Sequence, residues 1–276
     1  HTATPHGRTP AAGLPWLDAA FGRDAMIVAL QTLWLWPDIA RNVLRFLAAT
    51  QSTDNFAASG AEPGKVLNEA RGGDLPPNYF GVDTTPLFVL LAGAYYARTA
   101  DLDFIGELWP SICQALGWID VYGDVDGDGF VEARPPTSGA PQSGWKSSSD
   151  SVFHADGRIA QGPLALCEVQ GYVYGAKLGA ARIARSLGEM PRAIALVEAA
   201  QELQAKFNAA FWCPDIETFA LALDGDKQPC RVRTSNPGHC LYTGIAHAER
   251  GRQVIAGFGD EQFFSGWGVR TVAESE

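Results

Sequence analysis

Residues 162–211, GPLALCEVQGYVYGAKLGAARIARSLGEMPRAIALVEAAQELQAKFNAAF, decide the fold. Leu166, Val169, Val173, Ala176, Ala180 and Ile183 recur at steps of three and four, the spacing of one helix face. Gly162-Pro163 is expected to open this helix, which runs to about Leu187 before Gly188 stops it. Pro191 then starts a second helix to about Phe211, with Ala193, Val197, Ala200, Leu203 and Phe207 on one side. Two long amphipathic helices joined by a short turn read as an antiparallel hairpin.

The same unit recurs on either side. Met26, Leu30 and Leu33 mark a helix from Arg23 to Leu35, and Trp36-Pro37-Asp38 passes into another that reaches about Thr50. Asp83-Thr84-Thr85 is expected to cap a third helix ending near Arg98. Asp101 is expected to cap a fourth, with Ile105, Leu108, Ile112, Leu116 and Ile119 on its apolar side, and Pro110 should kink or split it. Two shorter helices follow near 238–246 and 248–258. Phe219–Leu223 and Cys230–Arg233 flank Gly225-Asp226 as a small β-hairpin. Residues 1–20 read as an irregular lead-in, and 51–82 and 123–161 as long loops of the length that usually carries function. About eight helices in four antiparallel pairs make an all-α array, toroid-like, with its long loops gathered at one end. No period near 34 residues supports a solenoid. No shift in composition marks a boundary, so residues 1–276 read as a single domain.

Composition bounds the function. Of 276 residues, 46% are hydrophobic and 19% charged, enough to bury a sizeable core. Lys and Arg number 21 against 31 Asp and Glu, a net charge of −10 that argues against a nucleic-acid partner. No apolar run reaches the length of a membrane span. Cys113, Cys167, Cys213, Cys230 and Cys240 are scattered without a CxxC, which argues against a disulfide framework and a zinc knuckle and fits a reducing, cytoplasmic setting. The first residue is His1 rather than Met, as in a processed product or a piece of a longer chain.

Several groups could carry chemistry. Arg23-Asp24 opens a helix, either as helix-end electrostatics or as a fork and acceptor that pin vicinal hydroxyls. Asp124, Asp126 and Asp128, with Gly129 next, place acids at positions 1, 3 and 5 and Gly at 6 of a calcium-type loop. Its twelfth position is Pro135, so the alternative is a solvated acidic turn. No cofactor is required, and calcium is the one ion this loop would take. Trp145 lies in a polar loop with Lys146, Ser147 and Asp150, where a ring face could cover the C–H side of a sugar. Glu168 and Tyr172 share a helix stripe with Gly171 and Gly175, so the carboxylate is either buried with a partner or lines a cavity. Glu69 and Arg71 form an acid–base pair in the first long loop. His154 and Asp156 follow the tryptophan loop, and one histidine without a second ligand is weak evidence for a metal. GxSxG, Walker, dinucleotide-binding and HExxH motifs are absent. Paired carboxylates remain as the available chemistry, and they suit glycosidic hydrolysis.

Ordered blocks then carry a resemblance. Gly13-Leu14-Pro15-Trp16, Phe21-Gly22-Arg23-Asp24-Ala25, residues 45–51 (RFLAATQ) and Glu62-Pro63-Gly64-Lys65 resemble the amylo-α-1,6-glucosidase, glycogen-debranching-enzyme-like family of glycoside hydrolases. So do residues 83–88, 151–157 (SVFHADG), 167–172 (CEVQGY), 233–236 (RTSN) and 264–268 (FSGWG). The resemblance implies an (α/α)6 toroid and inverting hydrolysis of α-1,6 or α-1,4 glucosidic links in an α-glucan or oligosaccharide. It implies that Arg23 and Asp24 hold the terminal glucose, with Trp16, Glu69, Trp145, Lys146 and Tyr172 also binding substrate. Glu168 matches a family glutamate facing the site. Two departures follow. The family's general-acid position, two after the loop tryptophan, is Ser147, which leaves Asp150 as the substitute and a sugar-binding paralogue as the alternative function. The family also continues past Ser275-Glu276 into further helices and the catalytic base, so about four of six helical pairs are expected here, an incomplete ring.

Overall fold

A computed structural model describes residues 2–4, 7–12, 19–70, 77–134, 144–146 and 148–276. The described chain is mostly helical, with eight α-helices and four two-stranded sheets. It divides into two compact units, residues 1–122 with 176–198 and residues 123–175 with 199–276. The division runs through two long helices rather than through linkers, which is why composition shows no boundary.

In the first unit, β1 (Thr2–Thr4) and β2 (Gly7–Thr9) form a small antiparallel ladder in what the sequence reads as irregular lead-in. Gly7, at φ +114°, adopts a backbone open to glycine, and β2 rests on the second helix. β3 (Ala20–Phe21) leads into α1 (Gly22–Thr32), which buries Ala25, Met26 and Ala29. α2 (Pro37–Ala49) has Pro37 in its first turn and buries Ala40, Val43, Leu44 and Leu47. After β4 (Glu69–Ala70) comes α3 (Thr84–Thr99), buried from Thr84 through Gly93. A helix apolar all round belongs in the middle, and α3 packs on α1, α2 and α4.

α4 (Leu102–Trp118) starts where the Asp101 carboxylate accepts the Phe104 N–H at 3.2 Å, as expected. Pro110 does not split it. Ile105 and Leu108 before the proline and Ile112 and Leu116 after it are all buried, and that continuous face holds one helix despite the missing N–H. A single π-helical turn, Ile119–Gly123, follows.

The second unit begins with a correction. α5 (Cys167–Ser186) starts four residues past Pro163, because β5 (Ala165–Leu166) pairs antiparallel with β8 (Ala222–Leu223). Gly162, at φ +85°, crosses Gly225 so closely that a Cβ would lie 2.7 Å from its Cα, so the Gly-Pro pair serves a chain crossing. α6 (Met190–Phe211) runs into β6 (Trp212–Cys213), which pairs with β7 (Thr218–Phe219). Phe207 stacks on Phe211 at 4.7 Å and on Phe219 at 4.8 Å, and Phe130 meets Phe211 edge-on at 5.3 Å.

The expected hairpin closes at 224–228, where the Asp224 N–H reaches Gln228 O at 3.0 Å and Leu223 bridges Pro229. Its first strand also serves β5. α7 (Pro237–Thr243) packs on α8 (Ala248–Phe258), and a last turn joins Phe264 to Val269. All five cysteines are free. Among the described residues no helix is long and apolar enough to cross a membrane.

Backbone contact sets one stability expectation in the first unit. A Cβ on Gly93 of α3 would stand 2.6 Å from the Cα of Gly179 in α5. Gly93→Ala therefore lowers stability by about 1–3 kcal/mol, whereas the same change in an uncrowded helix raises it by about 0.5–1 kcal/mol. Urea unfolding reads the sign.

Candidate active site

In the first unit the starts of α1 and α3 meet at one end of the helices. The Gly22 N–H donates to Asn68 O at 2.9 Å, and a Cβ there would lie 2.2 Å from Leu67 O, so only glycine permits the approach. β3 pairs with β4, with Phe21 opposite Glu69. That places Arg23 in the first turn of α1, where its Nε and Nη2 grip both Asp83 oxygens at 2.6 and 3.0 Å. Asp83 is 1% exposed and does not cap α3 as expected, since its carboxylate turns to the guanidinium. Thr85 Oγ1 instead accepts the Val66 N–H at 3.0 Å. Glu69 is buried and accepts from Asn78 Nδ2 at 3.0 Å, while Asp24 is exposed. The fork read as a hydroxyl clamp thus joins two helix starts. Trp16 and Arg71 lie outside the described residues.

The second unit contains a recess. Leu166, Leu221 and Val152 form its apolar walls, and Lys146, Glu168 and Asn236 its polar ones. Glu168 is the second residue of α5 and 2% exposed, and the Cys167 thiol points at its Oε2 from 3.6 Å. Helix polarity favours a carboxylate in that first turn. Lys146 Nζ donates to Thr271 O at 3.2 Å and lies 5.3 Å above the Trp145 ring. Burial lowers its pKa below the ordinary lysine value, against the nearby negative charge of Glu168, which raises it.

Tyr172, one turn beyond Glu168, shares a 2.8 Å hydrogen bond with His239 Nδ1, and that ring lies 6.3 Å from Trp145. Gly171 permits this: a Cβ there would stand 2.8 Å from Thr243 Oγ1 on α7. Trp145 Nε1 and Asn236 Oδ1 are buried without a partner. One donor, one acceptor, an ammonium, a carboxylate and an aromatic face form a set suited to a compact hydroxyl-rich ligand.

Trp145, Lys146, Glu168 and Tyr172 are thus brought together. Asp150 is exposed in the turn between Lys146 and Val152, held where Ser151 Oγ donates to Lys146 O at 2.9 Å. Asp156 engages Arg158 at 2.6 Å. Ser147 lies outside the described residues. Asn236 was not singled out as a site residue from sequence, although it ends the quoted run Arg233–Asn236.

The acidic loop is organised from within. Asp124 accepts the N–H groups of Gly127 and Gly129 at 2.7 and 2.9 Å, and one oxygen from each of Asp124, Asp126 and Asp128 falls within 4.8 Å of the others. Lys227 supplies the countercharge, 2.7 Å from Asp126 and 2.8 Å from Asp128, and bonded to buried Glu132. A divalent ion would compete with this ammonium for the same oxygens. No spacing signals the pairing, because Lys227 and Glu132 are 95 residues apart.

The described residues form an eight-helix array with a few small sheets, a fold whose solved neighbours are glycoside hydrolases of the (α/α)6 type. The chain belongs to the mannosylglycerate hydrolase MGH1-like glycoside hydrolase family, whose model matches residues 19–276. The class expected from the sequence therefore stands, while the matched family is the mannosylglycerate hydrolase-like one. The fold is similar to the glucose complex of the GH63 mannosylglycerate hydrolase of Thermus thermophilus, at 15% identity and TM-score 0.66, over 91% of this chain and 71% of that one. An uncharacterized conserved protein of the same organism gives 16% and 0.65 over 98% and 76%. The GH78 rhamnosidase of Bacillus sp. GL1 gives 16% and 0.62 over 87% of this chain, which spans only 22% of the rhamnosidase. No curated protein sequence matches.

Lys227→Met removes the ammonium bonded to the buried Glu132 carboxylate, near Asp126 and Asp128. Burial already raises the Glu132 pKa, against the lowering effect of Lys227. The variant is expected to lose about 2 kcal/mol or more at pH 7. A raised folded pKa favours the folded state at low pH and weakens it as pH rises through that value. The deficit should therefore narrow from pH 7 to pH 5 in parallel urea titrations.

Proposed function

We propose that this chain is a glycoside hydrolase of α-glucosidic linkages, α-1,6 or α-1,4, in glycogen-like or malto- and isomalto-oligosaccharides. One observation carries this reading: Glu168 is buried in a recess that Asn236 also lines, with Asn236 Oδ1 unpartnered and, on the neighbouring Trp145, Nε1 unpartnered as well. A sugar ring offers hydroxyls to both and a C–H face to the indole. The family membership and the glucose-bound relative support a hexose in the recess.

Inverting hydrolysis needs a protonated carboxyl at the leaving oxygen and a carboxylate that positions water, about 6.5–9.5 Å apart. Glu168 is rigid at a helix start and, as the carboxylate held in this recess, takes the role that the resemblance gives to a base further along the family's chain. Asp150 is the substitute acid, on the loop whose neighbours Lys146 and Val152 line the recess. Proton transfer from Asp150 to the glycosidic oxygen, with water deprotonated by Glu168, balances the reaction and releases the anomer of opposite configuration.

Ser147 favours a second reading, a sugar-binding paralogue, because a hydroxyl cannot protonate a leaving group near neutral pH.

The test is release of glucose from panose, isomaltose and maltose, with the first-formed anomer read by NMR. Glu168→Gln and Asp150→Asn are each expected to lower kcat by about 10²–10⁴-fold. Unchanged turnover in both variants overturns the assignments. Binding of maltose by calorimetry without turnover, together with turnover restored by Ser147→Asp, selects the second reading. Faster cleavage of mannosylglycerate than of panose moves the substrate class to that of the family's named member.

A further inference from the structure

The chain has five lysines, Lys65, Lys146, Lys177, Lys206 and Lys227. Four of them face a carboxylate. Lys65 lies 3.4 Å from Glu62, Lys177 2.6 Å from Asp120, Lys206 3.0 Å from Glu202 and Lys227 2.7 Å from Asp126. A carboxylate at that range neutralises the ammonium it faces. Lys146 differs. Among the described residues no carboxylate lies within ion-pair range of its Nζ, whose one hydrogen-bond partner is the neutral carbonyl of Thr271 at 3.2 Å.

An ammonium carries three N–H groups and calls for three acceptors, whereas a neutral amine calls for fewer and keeps a lone pair. A single carbonyl matches the neutral form, since it holds one N–H and leaves the lone pair unused. The surroundings agree. Lys146 lines the recess, whose apolar walls are Leu166, Leu221 and Val152, and burial there lowers its pKa against the pull of Glu168. The Trp145 ring, 5.3 Å away, favours the ammonium, but a ring face is a weaker counterpart than a carboxylate. A lysine desolvated beside apolar walls is the form of this residue that attacks carbonyl carbon.

We propose that Lys146 is a carbonyl-binding lysine, which takes a small hydroxyaldehyde, the chemistry of an open-chain sugar, as a reversible imine in the recess. The Nζ lone pair forms the bond to the carbonyl carbon as the C=O pair moves to oxygen. The nitrogen gives up its protons, the oxygen gains them, and that oxygen departs as water when the C=N bond forms. Amine and aldehyde thus become imine and water, with nothing oxidised or reduced. Glu168 lines the same recess and is the acid–base group available to carry the proton. Asn236 lines it too and offers a carboxamide to the hydroxyl beside the carbonyl, so a hydroxyaldehyde suits these walls better than a simple alkanal. The site does not depend on glycosidic cleavage, and it holds in an active hydrolase and in a sugar-binding paralogue alike.

Glycolaldehyde with cyanoborohydride, which reduces an imine to a stable amine, tests this on the whole chain at neutral pH, read by peptide mass mapping. Lys146 is expected to be labelled about fivefold faster than any other lysine, since each of the others must first leave an ion pair. Its rate should level off as glycolaldehyde rises, as at a binding site, while the other four rise in proportion. In the urea-unfolded chain all five should react alike. Lys146→Arg should remove that one label and leave the other four as they were. Equal labelling of the five lysines in the folded chain, or slower labelling of Lys146, overturns the proposal. Propionaldehyde that labels Lys146 as fast as glycolaldehyde overturns the choice of a hydroxyaldehyde. Sugar release, which reads the glycosidase proposal, is a separate measurement and fails or succeeds independently.

Discussion

The two-residue ladder between Ala165–Leu166 and Ala222–Leu223 aims everything in the recess. It holds Ala165 and Leu166 in strand geometry, so α5 cannot begin before Cys167, and Glu168 falls in the first turn. A start at Gly162-Pro163 would have placed the carboxylate deep in a continuous helix. Instead it stands beside the wall residues Leu166 and Leu221, where the helix N-terminus favours negative charge. The neighbouring Gln170 side chain accepts the Val131 N–H at 3.0 Å and donates to Val131 O at 2.7 Å, acting as an extra strand partner. That fixes Glu132, and Glu132 is held by Lys227 from the 224–228 turn beyond β8. One short ladder thus governs both the recess and the acidic loop.

Close backbone approaches do the remaining positioning. Gly171 lets α7 lie against α5, which brings His239 to Tyr172 and sets the ring facing Trp145. Gly22 in the first unit lets α1 start against the carbonyl of Leu67, so that Arg23 reaches Asp83. In both places the absent side chain matters more than any present one, because a Cβ would overlap a neighbour.

The helices were legible because apolar residues three and four apart must share a buried face, and every expected helix is present within a few residues of its range. Asp101 as a cap was legible from its place before an apolar stripe. Pro110 does not split its helix, because burial along one whole face of α4 outweighs one lost hydrogen bond. Asp83 was misread because a nearby guanidinium competes for a carboxylate that would otherwise cap. Trp145, Lys146, Glu168 and Tyr172 could be picked out as chemically capable, since each is costly or wasteful on a featureless surface.

By itself, the sequence determined the helical class, the small residues that admit close packing and the side chains with polar or aromatic chemistry to offer. These depend on local spacing and side-chain type. Only the tertiary structure decided that Arg23 is engaged by Asp83, that Lys227 occupies the acidic loop, and that Asn236 and Thr234 are buried with unmatched oxygens. Those facts depend on which distant segments are brought within hydrogen-bond range and which are shut away from water, and no pattern along one stretch of chain encodes either.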